Sequence, residues 1–251
     1  GIVADPARVV AFSNRKRIEV YAENGERIHQ GDIMSGVGRY LDSDSGMLVA
    51  ATDREVVVYD AAANRSSRFP DRLTELSHIR FDSESGEIVT VEERDRLSRF
   101  DLSGERRWVK TIDSPVEGFA IGADRTCALT TEDGRLVVFD GNKHAIGEFR
   151  TTPSETLGLV RLGSRWITLA GEAQRVRSHR LDGTVEWDVA LPSVAWRIVR
   201  LASQVVARTA SGRCYVLDSQ GRVVLDTSEL PPETILFLNP SGDPSALFWH
   251  A

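Results

Sequence analysis

A motif of about 39 residues recurs six times along this chain, and a strand-built repeat of that length leaves few architectures open. Each copy holds a short apolar strand, a turn, and a second strand that ends in an aromatic residue or Leu, usually followed by Asp. A turn that usually contains Gly or Asn comes next. The anchors are Tyr21-Ala22, Tyr59-Asp60, Phe100-Asp101, Phe139-Asp140, Leu181-Asp182 and Leu217-Asp218. Ala22 and Asp218 stand 196 residues apart over five intervals, which gives the period of about 39.

We label the strands of a copy A to D. In the third copy Ile79-Arg80-Phe81 ends strand A, Asp82-Ser83-Glu84-Ser85-Gly86 is a turn, and Glu87 begins strand B. The second copy carries the same turn, Asp42-Ser43-Asp44-Ser45-Gly46. Asp and Ser accept backbone hydrogen bonds in tight turns and Gly supplies positive φ, so the pattern predicts an antiparallel meander. The B runs are Val9–Phe12, Met47–Ala51, Glu87–Val91, Cys127–Thr130, Trp166–Ala170, Val205–Arg208 and Ala246–Trp249. They are nearly unbroken apolar stretches, which predicts sheets covered on both faces. The expected fold is all-β, a β-propeller of four-stranded antiparallel blades, read as one domain over 1–251 and compatible with a piece of a longer chain. Seven B runs stand against six C strands: Arg17–Tyr21, Glu55–Tyr59, Arg96–Phe100, Arg135–Phe139, Val176–Leu181 and Arg213–Leu217. Two closures fit. Either Ile235–Leu238 completes the first blade and makes six, or Ile2–Ala4 is the first strand A and a seventh blade is incomplete. Seven is favoured, because Ile2–Phe12 aligns with Ile121–Leu129 as the other A-to-B passages do.

Composition narrows the function classes. Net charge is −6 over 251 residues, with no basic footprint of the kind nucleic-acid binding needs. No apolar run is long enough to span a membrane, so no membrane insertion is expected. Lys16, Lys110 and Lys143 are the only lysines, so arginine dominates the basic residues; this suits bidentate anion contacts and also a biased genome composition. Cys127 and Cys214, the only cysteines, fall on different strand types two copies apart and read as small core residues in a reducing compartment. The start, Gly1-Ile2-Val3-Ala4-Asp5-Pro6, lacks a signal pattern, so the expected location is the cytoplasm, or the periplasm or exterior if a signal was removed.

No motif specifies a reaction. Asp42-Ser43-Asp44 begins like a calcium loop, but Gly46 and Met47 stand where it needs Asp or Asn and then Gly. His29, His78, His144, His179 and His250 show no ligand spacing. Gly36-Val37-Gly38 lacks its third glycine. There is no Gly-x-Ser-x-Gly elbow and no phosphate loop. Asn64-Arg65-Ser66 matches a glycosylation acceptor that matters only in a secreted eukaryotic protein. The expectation is no catalytic residue, no cofactor and no metal site.

One constellation stands out. Aligning the A strands on their last apolar residue (Leu41, Phe81, Ile121, Leu162, Leu201, Leu238) puts Arg80, Arg161 and Arg200 at one register, just before it. Three guanidinium groups at one level of a central channel would make an anion site; paired with Asp82, Glu117 or Glu155 they would not. His78 and Trp196 lie in or beside A strands and could line the same mouth. Trp196 follows a D-to-A connection, where an aromatic can anchor a partner, and Trp249 lies near the end of the chain.

The passage Ile79 to Asp101 resembles a WD40 repeat, with Tyr, Phe or Leu in place of that family's Trp and without its Gly-His pair. Asp101-Leu102-Ser103-Gly104 then Trp108, and Asp182-Gly183 then Trp187, resemble quinoprotein (PQQ-like) repeats. There the Trp four residues after Gly docks neighbouring blades. Gly221 then Leu225, and Gly25 then His29, keep only the spacing. The quinoprotein dehydrogenases hold their cofactor partly against adjacent cysteines, which this chain lacks, so the resemblance implies the non-enzymatic assembly and scaffold branch. The expected function is a non-catalytic scaffold that binds another protein through one loop face, the rim with the D-to-A and B-to-C connections. The alternatives are a binder of small anions or a hydrolytic enzyme at the channel mouth, and a periplasmic assembly factor.

Overall fold

The structure is a computed structural model that describes residues 2–5, 8–13, 17–22, 26–32, 40–44, 47–51, 55–60, 65–69, 73–82, 84–151, 156–170, 174–201, 203–209, 213–227, 234–238 and 244–248. Among these residues are six four-stranded antiparallel sheets and one two-stranded hairpin. Sheet 1 holds β1 (Ile2–Asp5), β2 (Arg8–Ser13), β3 (Arg17–Ala22) and β4 (Arg27–Asp32). Sheet 2 holds β5 (Tyr40–Asp44), β6 (Met47–Ala51), β7 (Val56–Asp60) and β8 (Arg65–Arg68). Sheet 3 holds β9 (Leu76–Asp82), β10 (Glu87–Glu92), β11 (Arg96–Asp101) and β12 (Arg106–Thr111). Sheet 4 holds β13 (Val116–Ile121), β14 (Cys127–Thr131), β15 (Arg135–Phe139) and β16 (Ala145–Arg150). Sheet 5 holds β17 (Thr156–Leu162), β18 (Arg165–Ala170), β19 (Arg175–His179) and β20 (Val185–Ala190). Sheet 6 holds β21 (Ala195–Leu201), β22 (Gln204–Thr209), β23 (Cys214–Leu217) and β24 (Val223–Asp226). The hairpin pairs β25 (Thr234–Leu238) with β26 (Pro244–Phe248). Asn64, Glu155, Trp249, Gly36-Val37-Gly38 and 230–232 lie outside the described residues.

The sheets fall into two compact units: Gly1–Asp113 with Ala123–Arg125, and Ser114–Gly122 with Thr126–Ala251. In the first unit the A strands β1, β5 and β9 run side by side. In the second, β13, β17 and β21 do the same. The unbroken apolar B runs predict cover on both faces, and β10 and β14 are buried at every residue. The D strands β12, β16 and β20 are largely exposed. In sheets 3, 4 and 5 apolar burial therefore concentrates in the first three strands, where each fully buried Ile, Val or Leu contributes about 1.5–3 kcal/mol. The Ile2–Ala4 expectation for the first strand A holds, since β1 pairs with β2.

Two turns depart from expectation. Asp42–Asp44 is strand, not turn: β5 runs to Asp44, which pairs with Met47, whereas β9 stops at Asp82 opposite Glu87. In sheet 5 the anchor is His179-Arg180, two residues before the expected Leu181-Asp182. His179 pairs with Trp166 and is buried, in the place held by Phe100, Phe139 and Leu217. Leu181 lies in the turn, 42% exposed. The physical reason is the turn itself. Gly104, Gly183 and Gly221 each donate from N–H to the carbonyl three residues earlier, on Asp101, Arg180 and Asp218, and all three have positive φ. Sheet 5 therefore starts its turn on Arg180.

His179 fills an aromatic slot with a polar ring. Its Nε2 lies 3.0 Å from Thr168 Oγ1, and Phe149 stacks at 5.4 Å. Burial, aided by the nearby Arg177 charge, pushes its pKa down to about 4 from 6.5. A depressed histidine pKa means the unfolded chain takes up the proton first. Stability is complete above pH 6.5 and falls as pH drops toward 4, by about 3 kcal/mol in total. Urea midpoints of wild type and His179→Phe should diverge below pH 6, with the variant less acid-sensitive.

Candidate protein-interaction face

The A-strand arginines are placed first by their ladders. Arg161 pairs with Trp166 and Arg200 with Val205, and those partners in turn face the anchors His179 and Leu217. The equivalent pair in sheet 3 is Phe81 with Ile88, opposite Phe100. Arg80, opposite Val89, is therefore one residue out of register. Successive side chains of a strand point to opposite faces, so Arg80 does not share a face position with Arg161 and Arg200. The single-register alignment fails because the A-to-B turns differ in length. Residues 83–86 separate the last pair in sheet 3, and only 163–164 do so in sheet 5.

Arg161 is also engaged. Its Nη1 donates to Thr126 Oγ1 at 2.9 Å and its Nε to the Gly163 carbonyl at 2.6 Å, while its guanidinium lies 5.3 Å from the Trp166 ring centroid. It fills the space above Gly122, where a Cβ would come within 2.2 Å of Nη1. These contacts tie sheet 5 back to the A-to-B loop of sheet 4. Arg80 Nη1 donates to the Ile79 carbonyl at 2.8 Å. Asp82, one of the expected acid partners, pairs instead with Arg99 on β11. His78 lies half-buried opposite Val91, and Arg200 is exposed.

A bulge recurs at the other end of the A strands. The ladders shift at Ser77, Glu117, Leu157 and Trp196, each the extra residue between two paired ones. A bulge re-aims the side chain it adds. Two residues later come Ile79, Phe119, Leu159 and Ile198, all buried. One residue later come His78, Gly118, Gly158 and Arg197. The glycines admit the next sheet: a Cβ on Gly118 would lie 3.4 Å from Leu159 Cβ, and one on Gly158 would lie 2.5 Å from Ile198 Cγ2. Arg197, at this place in sheet 6, is exposed.

Trp196 thus sits on a bulge, 46% exposed, just past the D-to-A connection. Arg208 on β22 places its Cζ 5.9 Å from the indole centroid. Val194 is exposed beside it, while Ser193 Oγ lies 3.1 Å from Tyr215 OH and fixes the connection. On the far side of the B-to-C loop, Thr209 N–H donates to the Arg213 carbonyl at 2.8 Å, and the Arg213 side chain is exposed. Trp196 was legible as an aromatic on a connection. Arg208 and Arg213 were not singled out; their one sequence signal is that the run from Val189 to Leu217 contains four arginines and no Asp or Glu.

Trp187, expected to dock a neighbouring sheet, does so. Its Nε1 donates to the Ser219 carbonyl at 3.1 Å, and its ring covers Gly221 of sheet 6. Cys127 is buried and Cys214 half-buried, and burial raises the Cys214 thiol pKa. Among the described residues no three His, Cys, Asp or Glu side chains are grouped to hold a metal ion, and no helix is long and apolar enough to cross a membrane.

No family model matches the chain, and no curated protein matches it. Solved structures do. The computationally designed Ika8 protein has a TM-score of 0.75 at 14% identity, covering 90% of this chain and 73% of that one. A chain of the Mitotic Checkpoint Complex gives 0.72 at 10%, covering 86% and 72%. A chain from BBS1N in complex with ARL6DN gives 0.71 at 14%, covering 92% and 79%. The last two are β-propeller structures of the WD40 kind, and at such identities the likeness shows the fold alone. The chain is an all-β protein whose four-stranded sheets are of the propeller-blade type.

Proposed function

We propose that this chain is a non-catalytic seven-bladed propeller scaffold that binds another protein through the rim of the D-to-A and B-to-C connections. The observation that carries the reading is the exposure of Val194 and Trp196, which flank buried Ala195 at the start of sheet 6. An aromatic anchor on a rigid strand end is the kind of residue that dominates protein interfaces. Two of the similar structures are themselves named as assemblies with other proteins, which supports the same role here. The hairpin β25–β26 supports a seventh, incomplete blade.

Crosslinking of the tagged chain in extract of its source, followed by mapping of the crosslinked peptides, tests the reading. A discrete partner should crosslink within 189–227, and Trp196→Ala should weaken its capture about tenfold or more. Absence of any partner, together with a rise in melting temperature on adding a small phosphate or carboxylate, would favour the channel-mouth alternative instead.

A further inference from the structure

The Trp196 end of sheet 6 contains an electrostatic conflict. Arg197 on β21 and Arg208 on β22 are directly opposite each other in the antiparallel ladder, and both are exposed. Arg208 leads into the B-to-C loop, and Arg213 lies exposed on its other side. Like charges directly opposite on a sheet are destabilising, and proteins normally place a carboxylate beside them. Elsewhere in this chain that is done: Arg175 and Arg177 share Asp188, and Arg165 and Arg180 share Glu186. Among the described residues none of Arg197, Arg208 and Arg213 pairs with a carboxylate.

We propose that Arg197 and Arg208, with Trp196, form the recognition site for an acidic peptide segment of a partner protein. One carboxylate would bridge Arg197 and Arg208, and an apolar side chain would cover the Trp196 indole. Charge complementarity selects this occupant. Guanidinium groups pair bidentately with carboxylates, and the site's aromatic face favours a peptide over a bare anion. The chain's net charge of −6 weighs against a nucleic-acid backbone, which needs a broad basic surface. The inference deepens the scaffold reading and rests on it.

Selection of a randomised peptide library on the immobilised chain tests it, followed by anisotropy titration of the recovered peptides. Recovered sequences should be rich in Asp and Glu around an apolar residue. Their affinity should fall about tenfold or more in Arg208→Glu and fall with rising salt, yet hold in Arg222→Glu, because Arg222 is already paired with Asp218. Arg208→Glu should fold at least as well as wild type, since it turns a repulsive cross-strand pair into an attractive one; its melting temperature should hold or rise by about 2 °C. Peptides without acidic bias, binding indifferent to Arg208→Glu, a lowered melting temperature in that variant, or preference for an oligonucleotide over peptide would each overturn the proposal. If the crosslinked partner of 189–227 persists in Arg208→Glu, the scaffold reading stands and this one falls.

Discussion

Replacing Arg99 with Met should destabilise the first unit by about 3–5 kcal/mol, the cost of leaving buried Asp82 without its cation and Glu87 with Arg125 alone. Arg99 has no exposed surface. Its Nη1 donates to Asp82 at 2.8 Å, to Glu87 at 2.7 Å and to Ser85 at 3.3 Å, and its Nη2 donates to the Arg125 carbonyl at 2.7 Å. The guanidinium also lies 5.9 Å from the Trp108 centroid. One side chain thus joins the end of strand A, the turn and the start of strand B. Burial alone would raise the Glu87 carboxyl, but hydrogen bonds from Arg99 and Arg125 outweigh it and hold the pKa below 4.5. That share of stability is complete above pH 4.5 and is lost as pH falls through the lowered value. Urea unfolding at pH 7 measures the single-variant cost. Changing Arg99, Asp82 and Glu87 together to Met, Val and Leu should recover most of it, because the penalty comes from unpaired charge more than from lost attraction. A cost below about 1 kcal/mol for Arg99→Met would show that the carboxylates reach water without it.

Gly221→Val should cost about 3–4 kcal/mol, from two sources that can be separated. The residue has φ +80°, a conformation a β-branched side chain resists. A Cβ there would also meet Trp187 Cδ2 at 2.6 Å, and that ring is held by its bond to the Ser219 carbonyl. In a Trp187→Ala background the collision is gone and only the backbone strain remains, so the same substitution should cost about 1–2 kcal/mol. Equal costs in both backgrounds, measured by thermal or urea unfolding, would mean the indole does not lie against the turn.

The repeat was legible because strands buried on two sides must be apolar throughout; hence the first six B strands fall where the sequence places them, and so do the C strands apart from that of sheet 5, which ends at His179. Phase within the repeat was harder to read. Leu181-Asp182 looks like an anchor and is a turn, since only the ladder reveals that the aromatic slot holds His179. Arg80 joined Arg161 and Arg200 because counting from the last apolar residue ignores turn length. The bulges that set the true phase leave no common residue: Ser77, Glu117, Leu157 and Trp196 share a position and no chemistry. Trp196 was found because a tryptophan on a connection is conspicuous, whereas Arg208 sits on a strand and becomes part of a site only when the ladder sets Arg197 beside it.

Gly118 and Gly158 let the following sheet approach closely, and sheet 6 has Arg197 at that place. The modules are consequently not interchangeable bricks. A tandem duplicate of sheet 5 would present its glycine to whatever came after it and could extend the array. A tandem duplicate of sheet 6 would instead present the Arg197 guanidinium at that place, so copies of the two sheets are not equivalent additions.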